Sequence, residues 1–225
     1  MIQPLGIEIG VVALWLGAVA ALAFGLQFWK GTSAEIVRKV VHIGAGNVIL
    51  LAWWFELPAV LGIGASILFS AITLLSYRFP IIPGIDSVGR KSLGTFFYAV
   101  SIGVLTACFW EKYPYFAVIG VLIMTWGDGF AALIGQRWGR HRYKLGGVEK
   151  SWEGSIGMLV ISYIVSSLVL LSVYGNAWQV WLIALTVSVA ATGLEAFSKL
   201  GIDNLTVPLG SAGLAFLLSR MLLGS

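Results

Sequence analysis

The sequence predicts an all-α fold: a polytopic transmembrane bundle of about eight helices. Three observations carry that reading. Hydrophobic residues make up 59% of the chain and charged residues 11%, against about 25% charged in a soluble domain. Apolar runs fall near residues 5–29, 36–55, 57–76, 92–110, 115–135, 153–174, 177–194 and 205–224, and a span takes about 20 residues. The basic residues also sort onto alternate connections. Lys30, Arg38, Lys39, Arg78, Arg90, Lys91, Arg137, Arg140, Arg142, Lys144, Lys150 and Lys199 fall on one side, and only Lys112 and Arg220 on the other. That asymmetry follows the positive-inside rule. It predicts an integral multi-pass protein with both termini outside and the basic side facing the cytoplasm or a stroma-equivalent compartment. No polar linker divides the chain, so residues 1–225 read as one domain. Residues 1–6 lack a basic n-region and the first apolar run is long enough to span, which argues against a cleaved signal. Cys108, the single cysteine, excludes an internal disulfide and carries no metal or redox signal.

The first helix is apolar apart from Glu8, as expected of a scaffold or lipid-facing helix. The second opens on Thr32-Ser33-Ala34-Glu35, which fits a capping box. Arg38 and His42 follow four apart and share a helix face; they either present a cation and an imidazole at the membrane surface or anchor the helix there. Lys39 reads as an interfacial anchor with a snorkelling side chain. Trp53, Trp54 and Glu56 mark the outer interface, where aromatic belts form. The loop from Tyr77 to Lys91 holds Pro80, Pro83, Gly84, Asp86 and Gly89 and is too polar to span. Its Arg90-Lys91-Ser92 end reads as charge that satisfies the positive-inside rule, with a phosphate contact as the alternative.

The chemistry is expected between residues 127 and 157. In the fifth helix Gly127, Ala131 and Gly135 recur every four residues, a small-residue face for close helix contact. Asp128 lies beside that face, and carboxylates at membrane depth are costly and usually functional; a structural Asp paired with a basic neighbour is the alternative. A basic connection with Arg137, Arg140, His141, Arg142, Lys144 and Lys150 then feeds a helix capped by Ser151 with Glu153 in its first turn. Free N–H groups and the dipole at such a terminus favour an anion such as phosphate. Capping alone also explains Ser151 and Glu153. Glu195 and Lys199, four apart, are spaced to pair on the seventh helix. Asp203 and Asn204 precede Pro208, which suits the first turn of the last helix with Asn204 or Thr206 as cap. Carboxylates at 128, 153, 195 and 203 are thus expected to converge on the basic side. No P-loop signature and no His/Cys cluster is present.

These segments resemble a known group. Trp126-Gly127-Asp128-Gly129-Phe130-Ala131-Ala132-Leu133-Ile134-Gly135, then Gly139-Arg140 and Lys150-Ser151-Trp152-Glu153-Gly154-Ser155, are similar to the shared core of membrane-embedded CTP-using enzymes. That group includes phytol kinase, dolichol kinase, CTP-dependent diacylglycerol kinase and, more distantly, phosphatidate cytidylyltransferase. Arg38-Lys39-Val40-Val41-His42 and the run from Glu195 to Pro208 resemble the kinase branch, and the compact length is like the phytol or prenyl-alcohol kinases. The cytidylyltransferase's Gly-His-Gly-Gly and Asp-Arg-x-Asp elements are missing, and Arg140 stands where the group often has lysine.

The resemblance implies transfer of a γ-phosphate, from CTP or alternatively UTP, to a long-chain isoprenoid alcohol such as phytol, geranylgeraniol or a polyprenol. It implies Mg²⁺ or Mn²⁺ on Asp128 and Asp203. Lys150, Ser151, Arg140, Lys144, Gly127 and Gly135 would serve the nucleotide, and Arg38, His42 and Asn204 the substrate or its phosphate. Glu195 is the expected base, with Glu153 second and Asp128 completing the catalytic set. The expected partners are the bilayer, a nucleoside triphosphate and the alcohol, with no nucleic acid. The rival readings are CDP-lipid synthesis, a diacylglycerol kinase and, more remotely, a transporter, although no inverted repeat is visible.

Overall fold

The computed structural model describes residues 4–29, 32–77, 79 and 93–224. The Arg90-Lys91-Ser92 segment, most of the polar loop before it, and the basic residues Lys30 and Arg78 lie outside the described residues. Among the described residues, ten α-helices and one hairpin follow in order: α1 (Leu5–Gln27), α2 (Ala34–Gly46), α3 (Val48–Trp54), α4 (Ala59–Ser76), α5 (Gly94–Phe109), α6 (Pro114–Leu122), a π-helical turn (Ile123–Asp128), α7 (Gly129–Trp138), β1 (Arg142–Leu145), β2 (Val148–Ser151), α8 (Trp152–Tyr174), α9 (Trp178–Ala196) and α10 (Asp203–Leu223). Helices α2 and α3 join into one span interrupted at Asn47, and α6, the π turn and α7 into another. Among the described residues, seven helical segments are long and apolar enough to cross a membrane; α5, with 16 residues, is a shorter apolar eighth. The all-α bundle expected from hydropathy is therefore present.

The central span is Pro114–Trp138, whose α6 is buried from Phe116 to Leu122. Phe116, Ile119, Ile123 and Met124 pack there against Leu105, Met158 and Leu170. Helices α1 and α4 lie at the margin with most side chains facing outward, as lipid-facing helices do. At one end of the bundle lie the C-terminal ends of α1, α4, α7 and α9, and at the other those of α3, α5 and α8. The Trp110 indole donates to the Leu57 carbonyl at 2.7 Å and fastens that second end.

The small-residue face packs on α8. A Cβ at Gly127 would stand 2.7 Å from Met158 Sδ, and one at Gly154 2.9 Å from the Ala131 carbonyl oxygen. Close backbone approach is what such a face permits.

Several local expectations are corrected. The basic connection is not an open loop but an antiparallel hairpin, with Arg142 opposite Ser151 and Leu145 opposite Val148. Gly146 and Gly147 turn it with φ of +56° and +84°, the geometry a two-residue hairpin turn asks of glycine. The signal was legible as Gly-Gly between short alternating runs. In α2, Ser33 caps the helix alone by accepting from the Ile36 N–H at 3.3 Å, and Glu35 turns to Arg38 instead of closing a capping box. Helix α10 begins at Asp203, so Pro208 lies beyond its first turn and neither Asn204 nor Thr206 is the cap. The earlier start is supported by Ser198 Oγ, which accepts from the Asp203 N–H at 2.7 Å.

Candidate active site

Three of the four carboxylates lie toward the end of the bundle that carries the hairpin and act on one another electrostatically. Glu195 lies in the last turn of α9 and Asp203 in the first of α10. Asp128 closes the π turn, about 15 Å of helix before the end of α7. Asp128, Glu195 and Asp203 stand within electrostatic reach of one another, with Lys39 and Lys150 among them.

Two buried ion pairs organise the cluster. Lys39 Nζ donates to Asp128 Oδ2 at 2.5 Å and lies 3.4 Å from the Asp128 carbonyl oxygen. Its side chain is only 3% exposed, so the anchoring role expected of Lys39 is wrong. Residues 38 and 39 point about 100° apart on a helix. Here Arg38 takes the exposed face, paired with Glu35 at 2.5 Å, and Lys39 the buried one. The second pair joins Lys150, at the end of β2, to Glu195. The ammonium donates to the Glu195 carboxylate and, at 2.5 Å, to its carbonyl oxygen. The expected Glu195–Lys199 pair does not form, because α9 stops at Ala196 and the i,i+4 spacing is lost. Lys199 instead lies beside Gly146 at the hairpin turn.

The His42 side chain, 9% exposed, lies beside Asp128, its Nε2 3.8 Å from Asp128 Oδ2 and 3.3 Å from the Met124 carbonyl oxygen. It is not at the surface beside Arg38. The Tyr98 hydroxyl donates to the His42 carbonyl at 3.1 Å, and the two ring centroids lie 4.5 Å apart with the planes tilted by 51°. Asn204 is buried beside Asp203, and its Oδ1 has no hydrogen-bond partner among the described residues.

The remaining candidates lie apart. Glu153 is bound to His141, which donates from its backbone N–H at 3.2 Å and has Nδ1 2.7 Å from Oε1. It does not join the other three carboxylates. Arg140 and Lys144 are exposed, and no ion pair ties them to the cluster among the described residues. Arg142 pairs with Glu149 across the hairpin at 2.9 Å and holds that carboxyl below its usual range. Gly127 and Gly135 face α8: a Cβ at Gly135 would stand 3.0 Å from Ser151 Oγ. Ser151 caps α8 as expected, accepting from the Gly154 N–H at 3.2 Å. The Trp152 N–H is taken by the His141 carbonyl at 3.0 Å. Two of the backbone donors expected to hold phosphate are thus already satisfied.

Sequence reasoning missed Lys39. Its signal was present: two cations adjacent on a helix cannot both snorkel from the same face.

No protein-family profile matches this chain, and no solved structure matches it. Named relatives do. The phytol kinase of Synechocystis sp. is 50% identical over 225 residues, covering 100% of this chain and 97% of that protein. A probable chloroplastic phytol kinase of Oryza sativa is 30% identical over 214 residues, covering 86% of this chain and 68% of its own. The chloroplastic phytol kinase 1 of Arabidopsis thaliana is 27% identical, covering 93% and 76%. With identity of this extent along its whole length, the chain belongs to the phytol kinase family.

Proposed function

We propose that this protein transfers the γ-phosphate of CTP, with UTP as the alternative donor, to the hydroxyl of phytol or a similar isoprenoid alcohol at the cytoplasmic or stroma-equivalent face of the membrane. The observation that carries this is the cluster of Asp128, Glu195 and Asp203 with Lys39 and Lys150 at one end of an apolar bundle. Eight described basic residues lie at that end and two, Lys112 and Arg220, at the other, which supports a cytoplasmic orientation.

Phosphoryl transfer asks a protein mainly for positioning and charge neutralisation. Asp128, Asp203 and Asn204 would hold Mg²⁺ or Mn²⁺. The donor chemistry fits, since hard cations take oxygen ligands and the Asn204 Oδ1 is a buried oxygen without a hydrogen-bond partner among the described residues. The cation, when bound, supplies neutralisation of phosphate charge. Lys150 carries an ammonium to the phosphates from the end of the hairpin. Glu195, at the mouth of α9, accepts the proton of an alcohol whose hydrocarbon tail remains in the bilayer. Its ion pair with Lys150 keeps the two side chains oriented toward each other.

The test is an assay of purified protein in lipid with labelled nucleoside triphosphates and a panel of phytol, geranylgeraniol, farnesol, dolichol and diacylglycerol. An alkyl phosphate and CDP, with phytol among the best acceptors, are expected. A CDP-lipid with pyrophosphate would make it a cytidylyltransferase, and solute flux without nucleotide consumption a transporter.

A further inference from the structure

Lys39 has no task in the mechanism above, yet the fold is built to place it. Its ammonium is buried, and a buried charge is stable only when paired. Two glycines bring α2 close enough for the pairing. A Cβ at Gly129 would stand 2.8 Å from the Ile43 side chain, and one at Gly46 2.5 Å from Cγ2 of Thr125 in the π turn. The π turn ends on Asp128, so Lys39 meets both the carboxylate and the carbonyl of that residue. His42, at 3.8 Å and nearer to the Met124 carbonyl, is not the principal counter-charge.

We propose that Lys39 is the resident counter-cation of Asp128, and that it competes with a divalent cation for that carboxylate. The inference rests on the reading of Asp128 as a cation-binding acid. An ammonium 2.5 Å from Oδ2 repels a second cation at the same oxygens, so cation binding requires the Lys39 side chain to withdraw. Glu195 remains paired with Lys150 and offers Lys39 no free replacement. The displaced ammonium stays at the same bundle end, where a nucleotide phosphate is its natural partner. The protein thus holds Asp128 neutralised at rest and binds a divalent cation weakly until phosphate is also present. Lys39 is in this sense a positioning residue.

The experiment is Mn²⁺ binding to purified protein without nucleotide, read from the magnetic-resonance signal of free Mn²⁺. Lys39→Met should bind Mn²⁺ more tightly than wild type by on the order of tenfold, since a neighbouring like charge has been removed. Lys39→Arg, which keeps the charge, should bind no more tightly than wild type, and Asp128→Asn should lose binding. A merely structural lysine would not raise cation affinity when removed. If Asp128→Asn weakens binding but Lys39→Met does not strengthen it, the competition is refuted and the role of Asp128 stands. If Asp128→Asn binds as wild type does, the cation reading of Asp128 fails and takes this inference with it. Should Lys39→Met not fold, acylation of Lys39 in wild type, mapped by mass spectrometry, decides the matter. Saturating Mn²⁺ should raise labelling, and unchanged labelling overturns the proposal.

Discussion

Removing either member of the Lys150–Glu195 pair should destabilise the protein unequally. The side chains are 16% and 9% exposed. Breaking a buried pair costs about 3–5 kcal/mol, an exposed one about 0–1 kcal/mol. This pair lies near the buried case, at its lower end, because Lys150 still reaches solvent. Lys150→Met removes two hydrogen bonds and strands the Glu195 carboxylate, so about 3 kcal/mol is expected. Glu195→Gln keeps the bond from Lys150 to the residue 195 carbonyl and loses only charge, so about 1–2 kcal/mol is expected. In the double variant neither charge is stranded, and the two losses should overlap by about 2 kcal/mol. Reversible unfolding in an SDS titration, followed by helical circular dichroism, measures all three. Losses that add within about 0.5 kcal/mol, or a Gln variant less stable than the Met variant, would show that the pair does not form in solution. The same variants separate the roles: Lys150→Met should weaken nucleotide binding, whereas Glu195→Gln should lower kcat with little change in nucleotide affinity.

Asp128→Asn is expected to leave a folded protein with no measurable turnover; near-normal activity across a Mg²⁺ titration would make the residue structural. Gly154→Val should cost about 1–3 kcal/mol by driving α8 from the Ala131 carbonyl, whereas Gly193→Ala, with nothing within 4 Å of its Cβ, should be silent in the same unfolding assay. Ser151→Ala should cost about 1 kcal/mol through loss of the α8 cap. For orientation, Glu149→Cys should label from the cytoplasmic side and Asn176→Cys from the opposite side, each in a Cys108→Ser background; labelling of position 149 from outside would refute the topology.

The spans were legible because hydropathy and charge are read locally: a run of apolar residues seeks lipid whatever its neighbours are. So were the close contact at Gly127, Ala131 and Gly135 and the cap at Ser151, since each depends on a few consecutive residues. The hairpin has only Gly146-Gly147 as a local signal, because its two four-residue strands are too short and too charged to differ in composition from a polar loop. The start of α10 was misread because Ser198, outside the helix, supports its first turn.

By itself the sequence determined that the chain has repeated apolar spans, gathers its cations on alternate connections, and offers carboxylates at 128, 153, 195 and 203 toward the basic side. Tertiary structure alone decided the partners. Arg38 and Lys39 are adjacent and carry the same charge. Only the packing of α2 against the π turn sends one to Glu35 and the other to Asp128. Glu153 and Asp203 both open helices, yet the return of the hairpin gives one to His141 and leaves the other in the cluster. The physical reason is that a charge's cost and value depend on the burial and counter-charge it meets in space, which segments far apart in the chain supply.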